Sequence, residues 1–207
     1  ALGLLANQYA TGLALALFGG GLSAFLGRSL QGQSLAPRAA DGIAWLRDIP
    51  GIGPALFAQH GMVYVALLLV AATAWFLHRT RAGLVLRAVG ESPEAAHALG
   101  YPVRAIRMAA LAWGGACAGL AGAYLSVIYT PLWAEGMVAG RGWIALALVT
   151  FATLRPGRVL LGAYLFGGVT MLQFFLQASG VQIATQLLAM TPYVATIVVL
   201  VAVYGRA

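Results

Sequence analysis

The sequence lacks lysine altogether and has few charged residues of either sign. Only 8% of its 207 residues are charged, and all twelve basic residues are arginine. Soluble domains carry about 25% charged residues. With 61% hydrophobic residues, a soluble fold of this length could not keep enough apolar surface away from water. The composition therefore predicts an integral membrane protein and excludes an ordinary soluble domain.

Several kinds of catalytic and metal site are also excluded. Without lysine, the chain cannot supply the phosphate-binding lysine of a GxxxxGK(S/T) motif. Its single cysteine, Cys117, allows no intrachain disulfide, and its three histidines are scattered without a partner at metal-ligand spacing. No GxSxG elbow occurs, and no span carries paired carboxylates. We therefore predict no metal, no cofactor and no enzymatic activity in this chain.

The arginines carry information about membrane topology. A net charge of +7 could suggest nucleic acid as a partner, but the arginines lie at the ends of apolar runs, so no nucleic acid is expected. Five of them fall within Arg79–Arg107, and such a cluster is typical of a cytoplasmic loop. The loop Arg28–His60 then lies outside the cell. Its residues near Trp45 could form a short interfacial helix, which either contacts an extracytoplasmic binding protein or covers the membrane surface.

Long apolar runs predict the remaining architecture. We expect an all-α, polytopic membrane protein in which residues 1–207 form a single transmembrane domain, with about five spans and one half-helix or re-entrant segment. Gly19–Gly21 should break the first span, and the chain, which starts without methionine, reads as an N-terminally truncated fragment. The predicted spans are Asn7–Leu26, Met62–Leu77, Met108–Tyr129, Val159–Gln177 and Gln186–Tyr204. The short segment is Trp143–Leu154, stopped at Arg155–Arg158.

The main polar interruption is the segment Arg87–Arg107, which contains signals for both ends of a short helix. Ser92 can cap the N-terminus, and Pro93 fits the first helical position. Gly100 suits the C-terminal cap, and Pro102 prevents continuation. A helix of about Pro93–Leu99 is marginal on its own in water. It must therefore be held by the rest of the chain or by a docked partner.

This segment also resembles a known family. The residues GESPEAA at 90–96, then Leu99–Gly100 and GLAGA at 119–123, are similar to the cytoplasmic coupling segment of bacterial ABC-importer permeases. The resemblance is to permeases for simple sugars, nucleosides and branched-chain amino acids. Within these it is closest to nucleoside-type permeases, through the stretch PLWAEGMVAGRGWIALALV. Ser92 stands where asparagine is commoner in the family, and both are good N-caps.

The resemblance implies a function and a set of partners. The chain would be the permease subunit of an ATP-driven importer for a nucleoside or a simple sugar, in the bacterial inner membrane. It would work with a second, identical or related permease, cytoplasmic ABC ATPases and an extracytoplasmic substrate-binding protein, within the lipid bilayer. The ATPases would hydrolyse ATP and move the short helix. The implied coupling residues are Glu91, Ser92, Pro93, Glu94, Ala95, Ala96 and Gly100.

Polar residues near two spans are candidates for the translocation pathway. Asn7, Gln8 and Thr11 lie at the start of the first span, and they either line the pathway or meet the membrane interface. Glu135 and Arg141 lie in a glycine-rich loop, where they border the pathway or form a structural ion pair. Glu135 is the only acidic residue after Tyr101, which weighs against a proton-driven carrier.

Other functions remain open from the sequence. A permease for branched-chain amino acids fits the same family. An ion-coupled secondary carrier or a channel would need no ATPase, and a membrane scaffold would move no substrate.

Overall fold

The computed structural model describes residues 6–36, 59–138 and 140–179, together with four single residues further on: Met190, Val194, Ile197 and Val201. The chain divides into two compact units, Ala1–Ala139 and Gly140–Ala207. The predicted span Gln186–Tyr204 and the predicted interfacial helix near Trp45 lie outside the described residues.

The described part is helical, as the composition predicts. The first unit contains α1 (Gln8–Gly27), followed by a 3-10 turn at Arg28–Leu30. Four more described helices follow in this unit: α2 (Gly61–Arg79), α3 (Arg81–Glu91), α4 (Pro93–Ala98) and α5 (Val103–Tyr124). A π-helical turn, Leu125–Tyr129, extends α5. The second unit contains α6 (Arg141–Phe151) and α7 (Pro156–Ala178).

Four helical segments are long and apolar enough to cross a membrane, and they coincide with four predicted spans. Large apolar side chains remain exposed along them, such as Leu17 at 71% and Trp75 at 64%. Such surfaces need lipid or further protein as neighbours, because isolated apolar faces of this extent are unfavourable in water. These features define a multi-pass α-helical membrane protein. The four segments are Gln8–Leu30, Gly61–Arg79, Val103–Tyr129 and Pro156–Ala178.

Helix α1 runs without interruption through its three consecutive glycines. The expected break at Gly19–Gly21 is therefore wrong. Glycine weakens a helix in water because an open chain gains entropy and hydration. Within a membrane span an open backbone is strongly disfavoured, because its unpaired N–H and C=O groups cannot bind water there.

A sharp corner joins α2 to α3 through the single residue Thr80. Its hydroxyl donates to the carbonyl of Phe76, 2.6 Å away, and accepts from the backbone N–H of Gly83 at 3.0 Å. Gly83 is needed at this corner, because a Cβ there would overlap the Phe76 carbonyl oxygen and lie 2.8 Å from the Cα of Leu77. Thr80 thus ends one helix and caps the next.

At each end of the first unit, segments that are far apart in the sequence lie next to each other. Beyond α1, Gln31 and Ser34 form isolated β-bridges with Trp133 and Leu132. The Trp133 ring packs on Gly27, where it fills the space that a Cβ would occupy. At the other end, residues before and within the first turn of α1 share a cavity with α4 and the start of α5. Helices α1 and α5 therefore begin at one end of the unit and finish at the other.

The second unit differs from prediction at the junction of its two helices. The short α6 ends at Phe151, and α7 already begins at Pro156, three residues before the predicted start. Pro156 therefore opens a helix, a position at which the missing N–H costs nothing. The stop falls instead at Thr153 and Leu154, which have φ values of 51° and 58°.

Candidate functional site

Helix α4 is the predicted short helix, and the structure confirms the caps at both of its ends. The Ser92 hydroxyl accepts from the N–H of Ala95 at 3.3 Å, and Pro93 occupies the first turn. At the other end, Gly100 adopts φ +85° and donates to the His97 carbonyl at 2.9 Å. The N–H of Tyr101 donates to the Ala96 carbonyl at 3.1 Å. These two bonds form a Schellman motif.

The support that a six-residue helix requires comes from within the chain. Helix α3 packs against α2, α4 and α5, and α4 also contacts α5. Val89 of α3 is 1% exposed and Ala96 of α4 is 2% exposed. These two apolar side chains bury the inner face of the α3–α4 junction, so α4 is held by packing as well as by its caps.

Helix α4 presents two different outer faces. Ala95, Ala98 and Leu99 are exposed, and Leu99 is 77% exposed although it is a large apolar residue. Glu94 and His97, three residues apart, face a cavity instead. One side of α4 therefore offers a small apolar surface, and the neighbouring side is polar.

The connections of α4 to the two flanking spans are short. Only Ser92 separates α4 from α3, and Thr80 alone separates α3 from α2. On the other side, Leu99–Pro102 lead into α5. Both connections are therefore short, and the one through Ser92 and Thr80 leaves little chain that could absorb a displacement of α4.

The predicted pathway residues fall into different local settings. Asn7 caps α1, since its Oδ1 accepts from the N–H groups of Tyr9 and Ala10 at 3.0 and 3.3 Å. The Thr11 hydroxyl donates to the Asn7 carbonyl at 2.8 Å. Gln8 lines the cavity beside α4. The structure thus brings Gln8 together with Glu94, and a pathway role for these residues stays a prediction.

Glu135 and Arg141 belong to different units. Glu135 is exposed in a turn that includes Gly136 at φ +73°. Arg141 is the first residue of α6. Their predicted pairing and their pathway role both stay predictions. Among the described residues, no group of three potential metal ligands lies together.

Sequence reasoning missed α3 and the residues that build its corner. The arginines of this segment favour a cytoplasmic loop, but Val85 and Val89 have helical spacing and Thr80 is a good N-cap, and these signals indicate a helix. The close approach at Gly83 had no local signal, because it depends on the angle between α2 and α3. The exposure of Leu99, which is the C-cap residue of α4, also had no signal in the sequence, because a large apolar residue is usually expected to be buried.

The described helices, with a capped and supported short helix between two candidate spans, are those of a multi-pass α-helical membrane protein. The chain belongs to the family described as branched-chain amino acid transport system / permease component, whose model matches residues 1–203.

Three curated relatives are similar to this chain. One, from Haloferax volcanii, is provisionally named a glucose ABC transporter permease protein and is 44% identical over 174 residues, 82% of this chain and 53% of that protein. A nucleoside ABC transporter permease protein from Lactococcus lactis is 38% identical over 165 residues, 78% of this chain and 52% of that protein. A guanosine ABC transporter permease protein from Bacillus subtilis is 28% identical over 210 residues, 98% of this chain and 66% of that protein.

The chain spans about half the length of the first two curated relatives it matches. No solved structure matches it. The members of its family are described as permease components of a transport system.

Proposed function

We propose that this chain is part of the permease subunit of an ATP-driven importer, and that α4 is the element through which separate cytoplasmic ATPase subunits act on it. The observation that carries this proposal is the outer face of α4. It exposes Leu99 on a helix that is capped at both ends and fixed to two candidate spans. A small exposed apolar surface on a rigid support suits docking into a cleft of a partner.

The proposed mechanism is alternating access. Closure of the ATPase pair on binding ATP moves α4, and the short connections at Ser92 and Thr80 carry the movement into α3 and α2. ATP can shift the permease between inward- and outward-facing states only through a difference in affinity for them. Docking of α4 produces this difference in affinity if the closed ATPase pair binds α4 in only one of the two states of the permease.

The proposed topology puts α4 in the cytoplasm and residues 28–60 outside. Its support is the arginine cluster around α3 and α4, together with the finding that α1 and α5 start at the same end of the first unit. An extracytoplasmic binding protein would then deliver substrate near Trp133. A second permease subunit, identical or related, would complete the pathway in the bacterial inner membrane.

The proposed substrate is a nucleoside or a simple sugar. The names of the three relatives refer to glucose, nucleosides and guanosine. The family description refers to branched-chain amino acids, so leucine is the informative competitor. Uptake of labelled guanosine and glucose by vesicles that contain the complete transporter, with leucine as competitor, separates these substrates.

Co-purification tests the docking surface. The full-length parent chain is co-expressed with its candidate ATPase, extracted in mild detergent, and the ATPase retained per permease is measured. We expect Leu99→Glu and Gly100→Asp to lower this ratio. Leu84→Glu is the matched control, because Leu84 is 60% exposed on the neighbouring α3, and it should retain the ATPase.

A transport assay distinguishes the remaining classes. Glu94→Arg and Gly100→Asp should leave the spans folded but uncouple ATP hydrolysis from uptake. If the folded parent chain retains no ATPase, and uptake continues after ATP depletion with an intact ion gradient, the chain is a secondary carrier. Absence of uptake by the complete complex would favour a scaffold.

A further inference from the structure

A cavity of about 880 Å³ lies between the start of α1 and the junction of α4 with α5. Its volume falls within the range of ligand-binding sites, roughly 300–1,000 Å³. Proline, valine and alanine side chains form apolar parts of the wall. The polar wall consists of Gln8, Glu94, His97, Tyr101, Arg104 and Arg107.

Arg104 and Arg107 are two charged residues of this wall for which the described fold shows no structural role. They lie three residues apart on α5 and so share one face of the helix. Within the described part of the chain, neither guanidinium has a hydrogen bond or an ion pair, although Glu94 lines the same cavity. Arg104 lies in the first turn of α5, where positive charge is unfavourable to the helix dipole, and Arg107 lies one turn further on. The dipole of α5 therefore gives no reason for a positive charge at Arg104.

The depth of the cavity along α5 indicates the kind of ligand. The segment Val103–Tyr129 contains 27 residues, which gives a helix about 40 Å long. The hydrocarbon core of a bilayer is about 30 Å thick. The first turns of α5 therefore lie at the level of the lipid headgroups, where tyrosines such as Tyr101 are also frequent.

We propose that this cavity binds the headgroup of an anionic phospholipid, with its phosphate between Arg104 and Arg107. Two guanidinium groups on one helix face can donate several charge-assisted hydrogen bonds to phosphate oxygens. The apolar wall formed by Pro93, Pro102 and Val103 suits the glycerol and the upper acyl chain. A small soluble anion would leave that wall without a partner. The inference requires that α5 spans the membrane, but it does not require that α4 binds an ATPase.

Lipid binding to the purified full-length parent chain, without ATPase, tests this site. The delipidated protein in detergent is titrated with phosphatidylglycerol or phosphatidylcholine, and bound lipid is counted by native mass spectrometry. We expect tighter binding of phosphatidylglycerol. Arg104→Gln should weaken it about five-fold, and the double variant Arg104→Gln/Arg107→Gln about thirty-fold, from the usual attraction of one basic residue to an anionic lipid.

Two double variants serve as controls. Arg79→Gln/Arg81→Gln removes the same charge from the same arginine-rich segment but away from the cavity, and it should change the affinity less than two-fold. Arg104→Lys/Arg107→Lys keeps the charge and should retain the preference for phosphatidylglycerol. Gel-filtration elution and the thermal unfolding midpoint establish that each protein is folded, and Arg104→Gln, at an exposed position, provides a measurement if the double variant does not fold.

Three results would overturn the proposal. Equal loss in the two glutamine double variants would mean diffuse attraction by the whole segment. Equal binding of phosphatidylglycerol and phosphatidylcholine would mean that the headgroup charge is not recognised. Full displacement of the lipid by millimolar inorganic phosphate would identify a site for a small soluble anion.

Discussion

Replacing Gly100 should loosen α4 without any steric clash. Gly100 has φ +85°, and nothing lies within 4 Å of the position that a Cβ would occupy. The cost of a side chain is therefore conformational, about 1–2 kcal/mol for an ordinary L-residue in the left-handed region. Asparagine tolerates this region better. We expect stability of the helix end to fall in the order Gly, Asn, Ala, Val.

This cost is at least as large as the contribution of the cap at the other end of α4. The helix has six residues, and its Ser92 cap contributes about 1 kcal/mol. A loss of 1–2 kcal/mol changes the ratio of formed to unformed helix by a factor of roughly 5–30. Under the proposed function, the ratio of substrate transported to ATP hydrolysed in proteoliposomes should fall in the same order across the Gly100 series.

Gly90→Ala is the matched control for this series. Gly90 lies within the helical range of α3, and nothing lies within 4 Å of its hypothetical Cβ. Alanine in a helix interior is favoured over glycine by roughly 0.5–1 kcal/mol, so coupling should be preserved. Wild-type coupling in the alanine and valine variants at position 100 would refute the reasoning, as would an asparagine variant as impaired as valine.

Three further substitutions have expected outcomes. Gly27→Ala should lower the thermal unfolding midpoint in detergent, because its Cβ would overlap the Trp133 ring, an overpacking that costs about 1–3 kcal/mol. Thr153→Asn should stabilise the second unit by about 1 kcal/mol, because asparagine accepts the left-handed backbone at φ 51° more readily than a β-branched residue. This gain requires that the asparagine side-chain oxygen replaces the Thr153 hydroxyl as the acceptor for Arg158, now at 2.9 Å; chemical denaturation measures the net effect. Ser92→Ala should cost about 1 kcal/mol of α4 stability by removing the cap on Ala95 and should lower the coupling ratio, whereas Ser92→Asn should preserve it.

Matched variants separate these effects from general damage. Gly20→Ala, inside α1 with no neighbour within 4 Å, should not lower the unfolding midpoint, and an equal fall for Gly20 and Gly27 would argue against the Trp133 contact. Thr150→Asn, at a position inside α6, should not stabilise the protein. A gain there equal to that at Thr153 would contradict the explanation from backbone strain.

Features of the fold that depend on local sequence were predictable. Four spans follow from long apolar runs, and the ends of α4 follow from Ser92, Pro93 and Gly100, because caps act through hydrogen bonds within a few residues. The start of α7 at Pro156 was misplaced because proline can end one helix or open the next. The local sequence supports both outcomes.

Features that depend on distant contacts were not predictable. The packing of Trp133 on Gly27 joins segments far apart in the sequence. The cavity between α1 and α5 likewise depends on how two helix ends lie side by side. The sequence indicated Ser92–Gly100 as a docking element, but the exposed Leu99 and the basic cavity beside α4 required the arrangement of several helices in space.

Because Thr80 fixes where α3 begins, the number of residues in α3 determines the direction in which α4 emerges. One inserted residue would rotate the rest of the helix by about 100° and advance it by about 1.5 Å. Val89, now 1% exposed, would leave the packed face, and α4 would emerge in another direction. Lengthening α3 by a single residue should therefore be more damaging than most substitutions within it, since the correct side chains would remain present but out of phase.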